Sequence, residues 1–278
     1  MGGFLAAFFN AFQWSVTLLA ALTTLFLQIL SNLANDYGDA QKGTDNAERL
    51  GPERAIQSGR ITLKQMRWAI GIFVLLSLAS GIALILVATH QMSFWVGVLF
   101  LALGIMAIAA AILYTVGKKA YGYSGFGDIF VFIFFGLLAV VGTYFLNTQH
   151  LRWDILLPAA SLGFFSTGVL NLNNLRDIEN DKVSGKITLA VRLGEKSARY
   201  YHASLISLGL LSAIVFNGLN LKSFWVLAWV IPILPLFVID LRNIVKEKDL
   251  QKLDPYLKKL ALKTLAFVFL FGLCLLLA

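Results

Sequence analysis

Apolar runs long enough to cross a membrane recur along the chain, separated by short polar segments. None shows the period-2 alternation, in segments of about ten residues, of a membrane-spanning strand. A hydrocarbon core about 30 Å thick takes about 20 helical residues at 1.5 Å per residue. On that measure spans are predicted at residues 15–33, 68–89, 94–114, 129–146, 155–175, 201–216, 224–238 and 260–277. A first apolar piece, 3–12, is too short to span. Residues 117–128, GKKAYGYSGFGD, are Gly-rich and predict an ordered loop rather than a helix. The expected fold is all-α, a polytopic transmembrane bundle of eight full spans plus a shortened first helix, forming one membrane-embedded domain over 1–278.

Composition agrees with the pattern. Hydrophobic residues make up 58% and charged residues 14%, against about 25% charged in soluble domains, and mean hydropathy is +0.77. A net charge of +8 would raise nucleic acid as a partner in a soluble protein. Its distribution says otherwise. Segments 36–67, 117–128, 176–199 and 240–263, each following an alternate span, hold six, two, six and seven of the 23 Lys and Arg, leaving Arg152 and Lys222 for the other face. Lys and Arg set membrane orientation. The lipid bilayer is therefore the expected surroundings and nucleic acid is not a partner. Localisation in the cell inner (cytoplasmic) membrane, multi-pass, with the charged loops cytoplasmic and the C-terminus opposite, follows. The lone Cys274 excludes an intramolecular disulfide and a cysteine metal site. No positive n-region precedes the first apolar piece, which argues against a cleaved signal peptide.

Two acidic stretches then stand out, each at the end of an apolar run and roughly 140 residues apart, a weak internal repeat. In SNLANDYGDAQKGTD, residues 31–45, helical spacing puts Asn32, Asn35, Asp36 and Asp39 on one face. In NLNNLRDIENDKVSG, residues 171–185, Asn173, Asp177 and Asp181 form an i, i+4, i+8 column. Such hard oxygens suit Mg²⁺, which takes one or two carboxylates and completes its shell with water and phosphate oxygens. Arg54, Arg60, Lys118, Lys119, Arg176, Lys182 and Lys186 lie on the same predicted face. Carboxylates with cations nearby imply a diphosphate substrate. A lone acidic pair in a loop is ordinary, but two at span ends point to function. A cation-coupled carrier shares part of this logic, although the cores 70–88 and 129–146 carry no charge. Tyr114 and Lys118, four apart at a span end, suit an interfacial Tyr with a snorkelling Lys, while Tyr121, Tyr123 and Asp128 follow. None of His90, His150 and His202 makes a persuasive base or ligand.

These residues resemble the UbiA superfamily of intramembrane aromatic prenyltransferases over almost the whole chain. Its NDxxDxxxD motif is similar to Asn35, Asp36 and Asp39, with Gly43 in the last place and Asp45 two residues on. Arg54, Gly59 and Ile61 match its RPxxxGxI segment, Ala55 replacing Pro, and Tyr114 and Lys118 match YxxxK. Asn173 or Asn174, Arg176, Asp177, Asp181, Gly185, Lys186 and Thr188 match the second motif. The resemblance is strongest to the branch that prenylates 1,4-dihydroxy-2-naphthoate, where Gly also replaces the third carboxylate. It implies nine helices, with this chain opening inside helix 1. It also implies Mg²⁺ as cofactor, held by Asn35, Asp36, Asp39, Asn173, Asp177 and Asp181. Arg54, Arg60, Lys118, Arg176 and Lys186 would meet the diphosphate, and Tyr114 with Lys118 would be catalytic. The implied substrates are polyprenyl diphosphate and an aromatic acid, either 1,4-dihydroxy-2-naphthoate with loss of its carboxyl or, alternatively, 4-hydroxybenzoate. The first motif is expected to use fewer protein oxygens and more water than the second.

Overall fold

A computed structural model describes residues 1–44, 50–51, 54–90, 92–220 and 223–277. Asp45 and Lys222 lie outside the described residues. Eight helices among those described are long and apolar enough to cross a membrane: α2 (Trp14–Lys42), α3 (Leu63–Thr89), α4 (Phe94–Leu113), α5 (Gly127–Thr148), α6 (Trp153–Arg176), α9 (Glu195–Leu219), α10 (Phe224–Lys246) and α11 (Leu250–Leu276). Between them fall the short helices α1 (Gly2–Phe8), α7 (Ile178–Val183) and α8 (Leu189–Leu193). The eight expected spans and the short first helix are therefore all present, most of them longer than their apolar runs. α2 is the clearest case: it continues nine residues past the predicted end, to Lys42, so the first acidic stretch is helical.

The chain divides into two compact units that interleave in sequence. One comprises residues 13–127 and 179–188. Here α2 packs along α3, with α4 against both. Phe26 meets Phe73 edge to face at 6.0 Å, and Thr23 Oγ1 donates to Ser80 Oγ at 3.1 Å. Thr62 starts α3 with a capping box, its hydroxyl accepting from the Gln65 amide while Gln65 accepts from the Thr62 amide, which satisfies two helix-end donors. Trp14, Trp68 and Trp95 are exposed at helix starts, the amphipathic position that indole rings occupy at a bilayer surface.

The other unit comprises residues 1–12, 128–178 and 189–278. Its core is a chain of rings: Phe165 lies 5.0 Å from Phe237 and 5.1 Å from Phe267, which in turn meets Trp229 at 5.1 Å. Each such pair adds about 0.5–1.5 kcal/mol beyond the area it buries. Short α1 packs on α5 and α11, with Leu5 and Ala6 fully buried. Arg152, one of the two cations expected away from the charged loops, forks onto the Asp154 carboxylate at 3.0 and 2.9 Å and stacks over Phe9 at 4.2 Å.

Candidate functional site

The first acidic motif owes its placement to two glycines. A Cβ on Gly38 would lie 2.5 Å from Thr115 Oγ1 and 2.7 Å from the Thr115 carbonyl carbon. Only glycine lets the chain after α4 come this close, and the Thr115 hydroxyl then donates to the Ala34 carbonyl at 2.8 Å. This docks the connector beginning at Gly117 against the end of α2. Gly43 ends that helix at φ 71°, ψ 15°, a left-handed conformation costing roughly 1–2 kcal/mol for a residue with a side chain. Residue 43, the last place of the NDxxDxxxD-like stretch, is here a helix stop.

On the last turns of α2, Asp39 is buried while Asp36 is partly exposed. Asn32, on the same helix, is exposed and accepts from Gln28 Nε2 at 3.3 Å. Arg54 bridges the two carboxylates, 2.6 Å from Asp36 Oδ1 and 3.4 Å from Asp39 Oδ2. The Lys186 ammonium lies 3.9 Å from Asp39 Oδ2 and 3.6 Å from Asp181 Oδ1. Thus Asp39 of the first motif and Asp181 of the second face one cation. The backbone supports this, since Gly185 turns with φ 71° and Lys186 N–H donates to the Asp181 carbonyl at 2.8 Å.

The connector folds as a short 3₁₀ turn, Tyr121–Ser124, as expected of an ordered loop. Tyr123 Oη donates to Asp39 Oδ1 at 2.7 Å and shares a 2.6 Å hydrogen bond with Thr44 Oγ1. Burial, with the Asp39 charge adding to it, pushes the Tyr123 phenol far above its ordinary pKa, so it remains a donor. Lys42 Nζ sits 3.8 Å from the centre of its ring and Lys186 Nζ 5.6 Å. Asn180 Nδ2 donates to the Thr44 carbonyl at 3.0 Å, and Ile187 N–H to the Tyr123 carbonyl at 3.2 Å. Neither Thr44 nor Asn180 stands out in the sequence, and Tyr123 stands out only as an aromatic face.

The second motif departs from the expected column. α6 stops at Arg176, Asp177 turns at φ −94°, ψ 12°, and α7 restarts at Ile178. The cause lies in Arg176, whose Nε and Nη2 reach Asp177 Oδ1 and Oδ2 at 3.0 and 2.6 Å. Consecutive side chains do not face each other on a helix, so this bidentate pair requires the break. The same guanidinium donates to Asn173 Oδ1 at 2.9 Å and pairs with Asp254. Arg176, expected at the diphosphate, is 2% exposed within this set of partners.

Tyr114 and Lys118 do not share a helical face. α4 ends at Leu113; the half-buried Tyr114 ring meets Tyr121 edge to face at 5.4 Å, and Lys118 is exposed in the following turn. Arg60 is also exposed.

Among the described residues no three carboxylate, histidine or thiol groups form a ready-made metal cage. The donor set nevertheless fits Mg²⁺. Asp36, Asp39 and Asp181 offer hard oxygens already faced by cations, and buried Asn35 Oδ1 has no hydrogen-bond partner among the described residues. One or two carboxylates with substrate phosphate is the usual Mg²⁺ arrangement.

The UbiA prenyltransferase family matches residues 1–276. The 1,4-dihydroxy-2-naphthoate octaprenyltransferase of Escherichia coli (strain K12) is 46% identical over 260 residues, covering 93% of this chain and 83% of its own. The protein of the same name from Haemophilus influenzae (strain ATCC 51907 / DSM 11121 / KW20 / Rd) is 51% identical over 207 residues, 74% of this chain and 67% of its own. A solved structure from work on digeranylgeranylglyceryl phosphate synthase in membranes has a TM-score of 0.57 at 19% identity, covers 99% of this chain and 92% of its own, and speaks to the fold alone. The motifs, the eight spans and a match that runs nearly end to end agree: this multi-pass membrane protein belongs to the UbiA prenyltransferase family.

Proposed function

We propose that the protein transfers a polyprenyl chain from its diphosphate to 1,4-dihydroxy-2-naphthoate, with loss of the carboxyl group, giving the quinol form of demethylmenaquinone. The observation that carries this reading is the meeting of Asp39 and Asp181, one from each acidic motif, at Lys186. The relatives' names support the choice of acceptor. Asn35, Asp36, Asp39 and Asp181, all in one compact unit, would hold Mg²⁺, and when bound the ion supplies positive charge against the diphosphate oxygens.

Arg54 and Lys186 release their carboxylates and take up the negative charge that grows on the leaving diphosphate. Exposed Arg60 and Lys118 add to that field. The C–O bond breaks with its electron pair leaving on the diphosphate, and the Tyr114 ring face stabilises the allylic cation. The electron-rich ring of the acceptor then forms the new C–C bond, and its carboxyl group departs as CO₂. Arg176 acts as a positioning residue, fixing Asp177 and Asn173 through its hydrogen bonds. The active-site loops are cytoplasmic in a bacterial inner membrane, in keeping with the Lys and Arg distribution.

The test feeds isolated membranes with isotope-labelled prenyl diphosphate and either 1,4-dihydroxy-2-naphthoate or 4-hydroxybenzoate, and reads the product mass. Prenylated, decarboxylated naphthoquinol is expected. Product from 4-hydroxybenzoate alone would move the protein to the other acceptor, and no transfer to either would reject the activity.

A further inference from the structure

Three backbone segments far apart in sequence are tied together by groups outside the acidic motifs' own carboxylates: the stretch after α2, the connector after α4, and the segment after α7. Tyr123 takes part in all of these ties but one, the bond from Asn180 to the Thr44 carbonyl. Its hydroxyl has one proton, and that proton goes to Asp39 Oδ1, an acceptor only. The 2.6 Å contact with Thr44 must then run the other way, with the Thr44 hydroxyl donating to Tyr123 Oη. Thr44, Tyr123 and Asp39 form a directed chain, in which each hydrogen bond polarises the next. The Tyr123 carbonyl accepts from Ile187, next to Lys186, and the Thr44 carbonyl accepts from Asn180, next to Asp181. The ring completes the arrangement, with Lys42 3.8 Å and Lys186 5.6 Å from its centre.

We infer that Tyr123 is a positioning residue for the acidic site: its hydroxyl aims the Asp39 carboxylate, and its ring face holds the Lys186 ammonium in reach of Asp39 and Asp181. The hydroxyl occupies one lone pair of Asp39 Oδ1, leaving Oδ2, the oxygen that faces Arg54 and Lys186, for exchange between cations. A buried carboxylate on two rotatable bonds would otherwise sample orientations that present neither oxygen well. The ring serves a different partner. Cation–π attraction acts on Lys186 without consuming any of its three donors, so the ammonium remains able to hydrogen-bond a phosphate oxygen. The inference rests on the proposed divalent-metal reading, not on the identity of the acceptor.

The two halves of the side chain separate by mutation. Tyr123→Phe keeps the ring and removes the hydroxyl; Tyr123→Leu removes both. Purified protein in detergent is titrated with Mn²⁺ in the presence of inorganic pyrophosphate and followed by electron paramagnetic resonance, with thermal unfolding as a folding control. Tyr123→Phe is expected to weaken Mn²⁺ binding about tenfold, the scale of a hydrogen bond to a charged group. Prenyl transfer should recover to near the wild-type kcat at raised Mg²⁺. Tyr123→Leu is expected to weaken Mn²⁺ binding to the same extent and, in addition, to raise the KM for prenyl diphosphate at saturating Mg²⁺. Thr44→Val, which removes only the outer donor, is expected to shift Mn²⁺ binding in the same direction by a smaller factor, and it carries the test if either Tyr123 variant fails to fold. Wild-type Mn²⁺ affinity in Tyr123→Phe, or in Thr44→Val where that variant alone folds, overturns the inference, as does lost activity that no Mg²⁺ concentration restores. Absence of Mn²⁺ binding by the wild-type protein overturns the metal reading itself, a distinct outcome.

Discussion

At the scale of single residues, the acidic site is neutralised from within. Arg54 and Lys186 stand against Asp36, Asp39 and Asp181 at 2.6–3.9 Å, so a divalent ion bound here would compete with these cations for the same oxygens. The consequence has opposite signs for two ligands. Lys186→Met should tighten Mn²⁺ binding measured without any diphosphate, because a competitor is gone. It should also raise the KM for prenyl diphosphate about tenfold, because a charge-assisted hydrogen bond is lost. Weaker Mn²⁺ binding in this variant would contradict the competition. The carboxylates are legible in the sequence because two acidic stretches, each with Asn beside Asp, begin where an apolar run ends. Tyr123 is legible as an aromatic but not as a donor. Its partners Asp39 and Thr44 are 84 and 79 residues away, and no local pattern encodes a contact of that range. Gly43 reads in the sequence as a missing carboxylate, whereas its backbone conformation also makes it the end of α2.

At the scale of elements, apolar run length locates every span, and the errors are concentrated at helix ends. α2 outlasts its apolar run because Asn35, Asp36 and Asp39 have buried or ionic surroundings at the helix end, an alternative to water that hydropathy does not register. The Asn173–Asp177–Asp181 column is lost for the converse reason: spacing assumes an unbroken helix, and the Arg176–Asp177 pair breaks it. Arg176→Met should therefore leave Asp177 and Asp254 without their shared cation and cost about 3–5 kcal/mol of stability, read as a lowered unfolding temperature in detergent. An unchanged midpoint would show the cluster to be dispensable. The docking of α2 on the chain after α4 gives a second prediction at this scale. Gly38→Val should displace Thr115 and the connector that follows it, lowering prenyl transfer strongly while circular dichroism stays helical. Trimming Thr115 to Ser should not rescue it, since the Thr115 backbone carbon is as close as its side chain. Rescue by that second change would locate the conflict in the side chain alone.

At the scale of the whole molecule, the eight spans and the concentration of Lys and Arg in alternate connections define an orientation that can be measured. In a Cys274→Ser background, single cysteines at Ser93 and His150 should react with a membrane-impermeant maleimide in spheroplasts. Cysteines at Lys119 and Lys248 should react only after permeabilisation, and the reverse pattern would invert the topology. The chain also crosses between its two compact units out of sequence order. Residues 179–188 complete the unit begun by residues 13–127, and residues 1–12 pack in the unit that ends with α11. During synthesis, at about 5–20 residues per second, the first acidic motif must wait on the order of ten seconds or more for Asp181 and Lys186, with three further spans still to come. A ribosome that stops after α6 leaves Asp39 at the membrane with Arg54 but without Lys186, the second cation that faces it. Biogenesis thus keeps the enzyme incomplete until late: Asp39 gains its second cation only once residues 179–188 have been made.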